Sequence, residues 1–354
     1  MLFLDVKNLF PGMRLARDIH YYDTSKRKMI ELKKGTDLTS ENIRSFRASN
    51  INGVYVDYVP DDLEPVSNID DGLKNDAVAA LKILADNFLN TPESIQALHI
   101  QSLSKISSML VESLLQDRNA LINIFNLKKH DEYTYHHSVS VAVIAVAIGM
   151  ELGFDERTLH DLALSGMLHD IGKVTIPVEI INKPARLTNR EFDVIKTHPI
   201  NAGVHLVKRN FVNENTFKGI VFHHERWDGT GYPNGLDGDK IPLFARIITV
   251  ADVYDALTSN RPYRAPMQPS EAIEYIMGGC GSIFDVDIVK VFLKKIAPYP
   301  AGKKVKLSDG RIATVVRNNP EHPLRPVVKI NGTSEVIDLL KDTNSMNITI
   351  KEVI

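Results

Sequence analysis

Cysteine is almost missing from this chain: Cys280 is the single one in 354 residues. A disulfide framework within the chain is therefore excluded, and so is a cysteine-rich zinc site. This usage fits a reducing compartment, and a cytoplasmic location is expected. An excess of either charge is also missing. Lys and Arg total 42 against 44 Asp and Glu, a formal net charge of -2. Nothing electrostatic favours long nucleic acid as a partner, although a local basic pocket for a small anion stays open. No long hydrophobic run occurs either. The longest, Val139 to Met150, is broken by Ser140 and falls short of the ~20 residues that span a bilayer. It reads as a buried helix, and no membrane partner is expected. The opening MLFLDVKNLFPGMRLARD has Asp5 close behind Met1 and no sustained apolar core, so it does not read as a signal peptide. Internal repeats and biased tracts are absent too.

What is present is a folded, mainly α composition, 44% hydrophobic and 24% charged, long enough for two or three domains. Residues 1–66 read as a small mixed α/β unit. Thr39 or Ser40 is a fitting N-cap for LTSENIRSFRAS, and the β-branched and aromatic residues of NINGVYVDYV suggest a strand. VPDDLEPVSNIDDG, rich in Pro, Asp and Gly, is the expected linker. From about Gly72 to Pro298 the pattern is helical. AVAALKILADNFL and LVESLLQDRNALINIF carry apolar residues at three- and four-residue spacing. HSVSVAVIAVAIGMELGF is apolar nearly all round, as a central helix would be. DERTLHDLALSGMLHDIGK follows with Asp155 as N-cap, and TNREFDVIKTHPINAGVHLVKR, NTFKGIVFHHERW and FARIITVADVYDALTS supply three more helices. After Pro300 the text alternates apolar and polar residues around Asp-Gly and Asn-Gly turns, a small β unit over 299–354.

The chemistry sits in the helical part. His169 and Asp170 are adjacent in MLHDIGK. An imidazole beside a carboxylate can bind one divalent cation while the carboxylate's second oxygen bridges to another. His137 lies one helix earlier, His198 in IKTHPI, His223 and His224 in VFHHERWDGTGYP. A single histidine on an amphipathic helix is ordinarily a surface or hydrogen-bonded residue. Asp252 is more telling, because a carboxylate within the apolar ITVADVYDAL must be paired or coordinated. Together these groups could converge in one bundle interior.

The ordered pattern HS, LHDIGK, HP, HHERWDGTGYP and ADVYDALTS followed by RPYR closely resembles the HD-GYP subgroup of the HD-domain phosphohydrolases, over roughly residues 130 to 295. The resemblance implies an all-helical HD-type catalytic domain, taken over 129–298, and the helices before it, 67–128, read as a connector. It implies a two- or three-metal centre that hydrolyses cyclic di-GMP. Carried over by residue, His137, His169, Asp170 and Asp252 would bind one metal. Asp170 would bridge to a second, completed by His198 and at least one of His223 and His224. Two cations about 4 Å apart can activate a bridging hydroxide and stabilise phosphoryl charge. The ligand set suits Fe, Mn, Zn, Ni or Co. Lys173 resembles the family's phosphate-contacting lysine, a catalytic role with Asp170, and Arg261 and Arg264 resemble its phosphate clamps. Asp255, one turn from Asp252, would serve substrate binding by orienting Lys173 or an arginine. Trp227, Gly231 and Pro233 read as structural, while the loop around them could wall the substrate pocket or meet a partner domain.

One departure from the family pattern matters. Three-metal members carry a glutamate four residues before the first ligand histidine, and here Tyr133 stands there. Glu132 is one residue off and would point ~100° around the helix. Two metals are therefore expected, with the linear dinucleotide pGpG as main product. Rival readings are a cyclic dinucleotide receptor that barely cleaves and a phosphodiesterase for another cyclic dinucleotide. His136 precedes the ligand, and only one of an adjacent pair can point inward. His20, His99, His130, His160, His205 and His322 match no family position. The first 66 residues lack a receiver domain's alternation and acidic pair, and read as a regulatory or interaction unit for a signalling partner. The apolar faces between Gly72 and Leu127 suit a homodimer interface, though packing on the catalytic domain accounts for them slightly better.

Overall fold

Thr39 opens the first helix as expected: its side chain accepts from the backbone of Asn42 and the Asn42 side chain accepts in return, closing a capping box. In the computed structural model, residues 2–6, 9, 13–23, 28–49, 51–56, 66–67, 71–116, 121–122, 133–259, 266–333 and 335–354 are described. They divide into two units, one of Ile69–Pro298 and one of Met1–Asn68 together with Tyr299–Ile354.

In the second of these, β1 (Leu2–Asp5), β2 (Ile19–Asp23), β3 (Lys28–Leu32), α1 (Ser40–Ala48) and β4 (Gly53–Val56) form the N-terminal part. β1 pairs antiparallel with β4, and β2 with β3. Leu15, Leu38, Phe46 and Val56 fill a core of their own.

In the helical unit, α2 (Asp71–Asn87) and α3 (Glu93–Leu115) pack as a pair, and α4 (Tyr133–Glu151) runs through the middle. Val141 through Ile148 are all buried on α4, because α2, α5 (Glu156–Leu168), α10 (Leu243–Thr258) and α12 (Val286–Lys295) surround it. This is the physical sense of a helix apolar on every side. Asp155 caps α5 by accepting from the Thr158 amide at 2.8 Å. A 3-10 turn over Ile171–Thr175 and α6 (Val178–Ile181) follow.

Two helices differ from the sequence expectation. The segment from Thr188 to Arg209 splits into α7 (Asn189–Ile195) and α8 (His198–Val207). Pro199 stands in the first turn of α8, where its missing N–H costs nothing and its ring prevents a continuous helix. The helix expected to run on toward Phe125 ends at Leu115. Leu121 and Ile122 are extended, and the Ile122 carbonyl accepts from Ala297 at 3.2 Å. α9 (Glu214–Phe222) and α11 (Pro269–Gly278) complete the unit. Among the described residues no helix is long and apolar enough to cross a membrane.

The C-terminal strands β5 (Lys304–Leu307), β6 (Ile312–Arg317), β7 (Val327–Ile330), β8 (Val336–Asp338) and β9 (Ile350–Val353) form one antiparallel sheet in the order β8-β7-β6-β5-β9. Lys304 to Leu307 alternate exposed and buried, and Val305, Leu307, Val315 and Val328 meet in a core of their own.

Candidate metal centre

Three helix ends aim imidazoles at one point. His169 ends α5, His198 begins α8 and His223 ends α9. Each ring donates its Nδ1–H to the carbonyl three residues before it: Gly166 at 2.7 Å, Ile195 at 2.8 Å and Ile220 at 2.7 Å. A carbonyl only accepts, so Nδ1 carries the proton and Nε2 presents a lone pair. All three rings are fully buried, and none of the three Nε2 atoms has a hydrogen-bond partner. Buried polar atoms are rarely left so. The carbonyl of His223 is itself held by the Thr249 hydroxyl at 2.7 Å.

Asp170 lies between these groups. Its Oδ1 is 3.2 Å from His198 Nε2, and its Oδ2 is 3.3 Å from His169 Nε2 and 3.9 Å from His137 Nε2. The carboxylate thus turns one oxygen to each side. Gly172 permits this approach: a Cβ there would lie 2.0 Å from the His198 carbonyl oxygen, so the turn after Asp170 can rest on the start of α8 only without a side chain. The ligand atoms form two groups, Asp170 with His198, His223 and His224, and His137 with His169 and Asp252, each within 4.8 Å of one another.

His137 has a carboxylate at each ring nitrogen, Asp252 at 3.0 Å from Nε2 and Asp255 at 2.7 Å from Nδ1. Burial disfavours its charged form, but the two acids outweigh this and raise it to about 9. Burial raises Asp170 and Asp252 as well, yet Lys173 and the histidines around Asp170, and His137 beside Asp252, hold both below the usual carboxylate range. Burial and the neighbouring imidazoles push His223 well down, and burial takes His224 to about 3. Two charged carboxylates and the neutral imidazoles of His223 and His224 are the protonation states in which these groups bind cations, while His137 would exchange its Nε2 proton for a metal. The donor set and the unpartnered Nε2 atoms fit divalent transition metals.

Other expected residues fall differently. Asp255 pairs with His137 rather than with Lys173. It is 3% exposed and spends its Oδ2 on His137 and on the Ser259 hydroxyl at 3.2 Å. The turn that separates it from Asp252 places it behind the imidazole rather than in front. Lys173 is partly exposed and its Nζ lies 2.5 Å from Asp170 Oδ2. Arg261 and Arg264 lie outside the described residues, as do Glu132 and the side chain of Tyr133. His136 is half-buried and belongs to neither group.

The Gly-Tyr-Pro loop contributes residues that sequence reasoning passed over. Tyr232 stacks on His224 with ring centroids 4.7 Å apart. Burial, then the charges of Asp170 and Asp252, raise its hydroxyl above the ordinary tyrosine value and keep it protonated. Glu225, 1% exposed, anchors the loop by accepting from the amides of Asn234 at 2.7 Å and Leu236 at 3.0 Å. A Cβ at Gly231 would meet the Arg226 nitrogen at 2.4 Å, which explains that glycine. The Trp227 amide donates to Ile283 at 3.1 Å, a structural contact. Nothing in the residue pattern marked Glu225, a charged side chain among charged neighbours.

Comparison with known proteins agrees with this geometry. Residues 119–288 match the HD domain, and residues 304–349 match a KOW domain associated with HD domains. The second match covers most of the β unit that the sequence pattern left unassigned. A cyclic di-GMP phosphodiesterase of Pseudomonas aeruginosa is 38% identical over 235 residues, 66% of this chain and 56% of that protein. A cyclic di-GMP phosphodiesterase of Thermotoga maritima is 35% identical over 178 residues, 49% of this chain and 48% of that one. A 3'3'-cGAMP-specific phosphodiesterase of Vibrio cholerae is 32% identical over 212 residues, 58% of this chain and 46% of that one. The chain thus spans about half the length of these relatives. The fold is also that of an HDG"Y"P protein from Bdellovibrio bacteriovorus, with a TM-score of 0.52 at 18% identity over 82% of this chain and 97% of that one. With His169-Asp170 at the centre and Gly231-Tyr232-Pro233 beside it, residues 119–288 form an HD domain whose relatives include cyclic di-GMP phosphodiesterases.

Proposed function

We propose that the helical unit is a phosphodiesterase that opens cyclic di-GMP to the linear dinucleotide pGpG with two divalent transition-metal ions. The observation that carries this reading is the pair of facing ligand groups with Asp170 between them. His137, His169 and Asp252 would hold one ion, and His198, His223 and His224 the other, with Asp170 shared. Bound there, the ions supply Lewis acidity toward phosphoryl oxygens and a nucleophile at neutral pH. The chain's own part is to hold the imidazoles as lone-pair donors, keep Asp170 charged, and present the Lys173 ammonium to the phosphate. Tyr232, kept protonated, can donate a hydrogen bond at the rim. Tyr133, where three-metal members carry glutamate, favours the two-ion centre and the linear product. We take 129–298 as the catalytic domain, 67–128 as its connector, and the terminal units as regulatory, in a cytoplasmic protein.

A second reading, cleavage of 3'3'-cGAMP, is favoured by the Vibrio cholerae relative. Purified protein given Mn or Fe(II) under reducing conditions, then cyclic di-GMP or 3'3'-cGAMP, separates the two by product chromatography. Wild type should release pGpG, with His169→Ala and Asp170→Ala inactive. Preferential turnover of 3'3'-cGAMP would replace the substrate. Bound metal without cleavage of either would leave a receptor.

A further inference from the structure

A cavity of about 220 Å3 opens beside the candidate metal centre, with Asp170 and Lys173 in its wall. The rest of its lining is of a different kind. Leu81 and Ala85 come from α2, Met167 from α5, and Ile181 from α6, while Tyr135 and Ser138 come from α4. The cavity is therefore an apolar slot with a few hydroxyls and a carboxylate–ammonium pair at one end. Such a lining, apolar with a small number of placed polar groups, is that of a ligand site.

Its size limits the occupant. Pockets that enclose a drug-sized ligand measure ~300–1,000 Å3, so this one takes a fragment rather than a whole dinucleotide. A nucleobase attached to a phosphate at the centre is such a fragment. It has flat apolar faces for Leu81, Ala85 and Met167, and edge groups that Ser138 and Tyr135 can hydrogen-bond. The Ser138 hydroxyl donates back to the Thr134 carbonyl at 3.3 Å, which leaves its lone pairs to accept.

We infer that this slot is the pocket for one base of the cyclic dinucleotide, and that α2 is part of the substrate site. The inference rests on the cyclic dinucleotide reading. α2 spans Asp71–Asn87 and lies before the HD-domain match, which begins at residue 119. The family domain thus supplies the candidate metal ligands, the hydroxyl-bearing wall and part of the apolar lining, while Leu81 and Ala85 come from the preceding segment. Which base is accepted depends in part on residues outside the family's motifs. Relatives of this domain named for cyclic di-GMP and for 3'3'-cGAMP would then differ in residues such as these rather than in their ligands.

The test is a kinetic comparison of wild type, Ala85→Phe and Ile181→Trp on cyclic di-GMP and 3'3'-cGAMP, with metal content and melting curves alongside. Ala85→Phe fills the slot from α2. Ile181 is 41% exposed, so Ile181→Trp narrows the slot at a position where the fold tolerates bulk. Both variants should bind metal as wild type does and raise KM about tenfold or more, with kcat little changed, since a blocked pocket loses ground-state and transition-state binding alike. An unchanged KM in Ile181→Trp and in folded Ala85→Phe overturns the pocket; so does a loss of kcat with bound metal reduced. Wild type is also given bis(p-nitrophenyl) phosphate, which carries no base. Turnover of that diester without turnover of either cyclic dinucleotide brings down the substrate reading, and the pocket with it, on wild type alone.

Discussion

The Nδ1–H of His137 donates to Asp255 Oδ2 at 2.7 Å, while Nε2 of the same ring faces Asp252. A carboxylate behind a ligating imidazole fixes its tautomer and raises its basicity, and loss of such a partner costs about 10–100-fold in metal affinity. Asp255→Ala should therefore weaken metal binding by that factor, read by titration of the metal-free protein. At saturating metal the KM for cyclic dinucleotide should stay near that of wild type. A raised KM with normal metal affinity would return Asp255 to the substrate-binding role that its spacing from Asp252 first suggested.

Asp170 should differ from every other ligand in how many ions its loss removes. Its two oxygens face separate groups, 3.2 Å from His198 and 3.3 Å from His169. Asp170→Ala should take the metal content from about two ions per chain to near none, because both positions lose an anionic donor. His198→Ala should spare the position formed by His137, His169 and Asp252. Elemental analysis of the purified variants reads this directly. Equal losses in both variants would show that the two groups do not bind separately.

Gly172 is where the fold and the centre depend on the same atom. A methyl group there would sit 2.0 Å from the His198 carbonyl oxygen, a backbone atom that no rotamer change can move. Gly172→Ala should lower stability by about 1–3 kcal/mol or more, the usual range for overpacking. It should also separate Asp170 from His198, so that metal content falls with the melting temperature. A variant that melts and binds metal like wild type would contradict this packing.

The sequence made the candidate ligands legible because each is a distinctive residue in an ordered pattern, and Asp252 stood out as a charge in an apolar helix. The central position of α4 was legible for the converse reason, an apolar surface on all sides. Side-chain direction was not. Asp252 and Asp255 share a helix face, and only packing decides that one meets Nε2 of His137 and the other Nδ1. Glu225 carried no signal, since its partners are backbone amides of Asn234 and Leu236. The contribution of Leu81 and Ala85 was invisible as well. They are ordinary apolar residues of an amphipathic helix, and their place beside Asp170 is a product of tertiary packing.

His205 should make stability depend on pH in one direction. Its ring stacks on Phe88 with centroids 4.1 Å apart, and Nε2 lies 2.9 Å from Gln96 Oε1, which accepts its proton. These contacts tie Phe88, just after α2, and Gln96 of α3 to α8, the helix that begins at His198. Burial, then the charge of Arg209, lowers His205 below its ordinary 6.5. Folding thus favours the neutral ring, and the unfolded chain binds the proton more tightly. The stabilisation is full above about pH 6.5 and is lost as pH falls through the lower folded value. The difference in unfolding free energy between wild type and His205→Leu should therefore shrink as urea titrations move from pH 7.5 to pH 5. Histidines at the centre titrate in both proteins and cancel from that difference. A difference that stayed constant would show that the ring's contribution is packing alone, and one that grew on acidification would mean the imidazolium is the form the fold prefers.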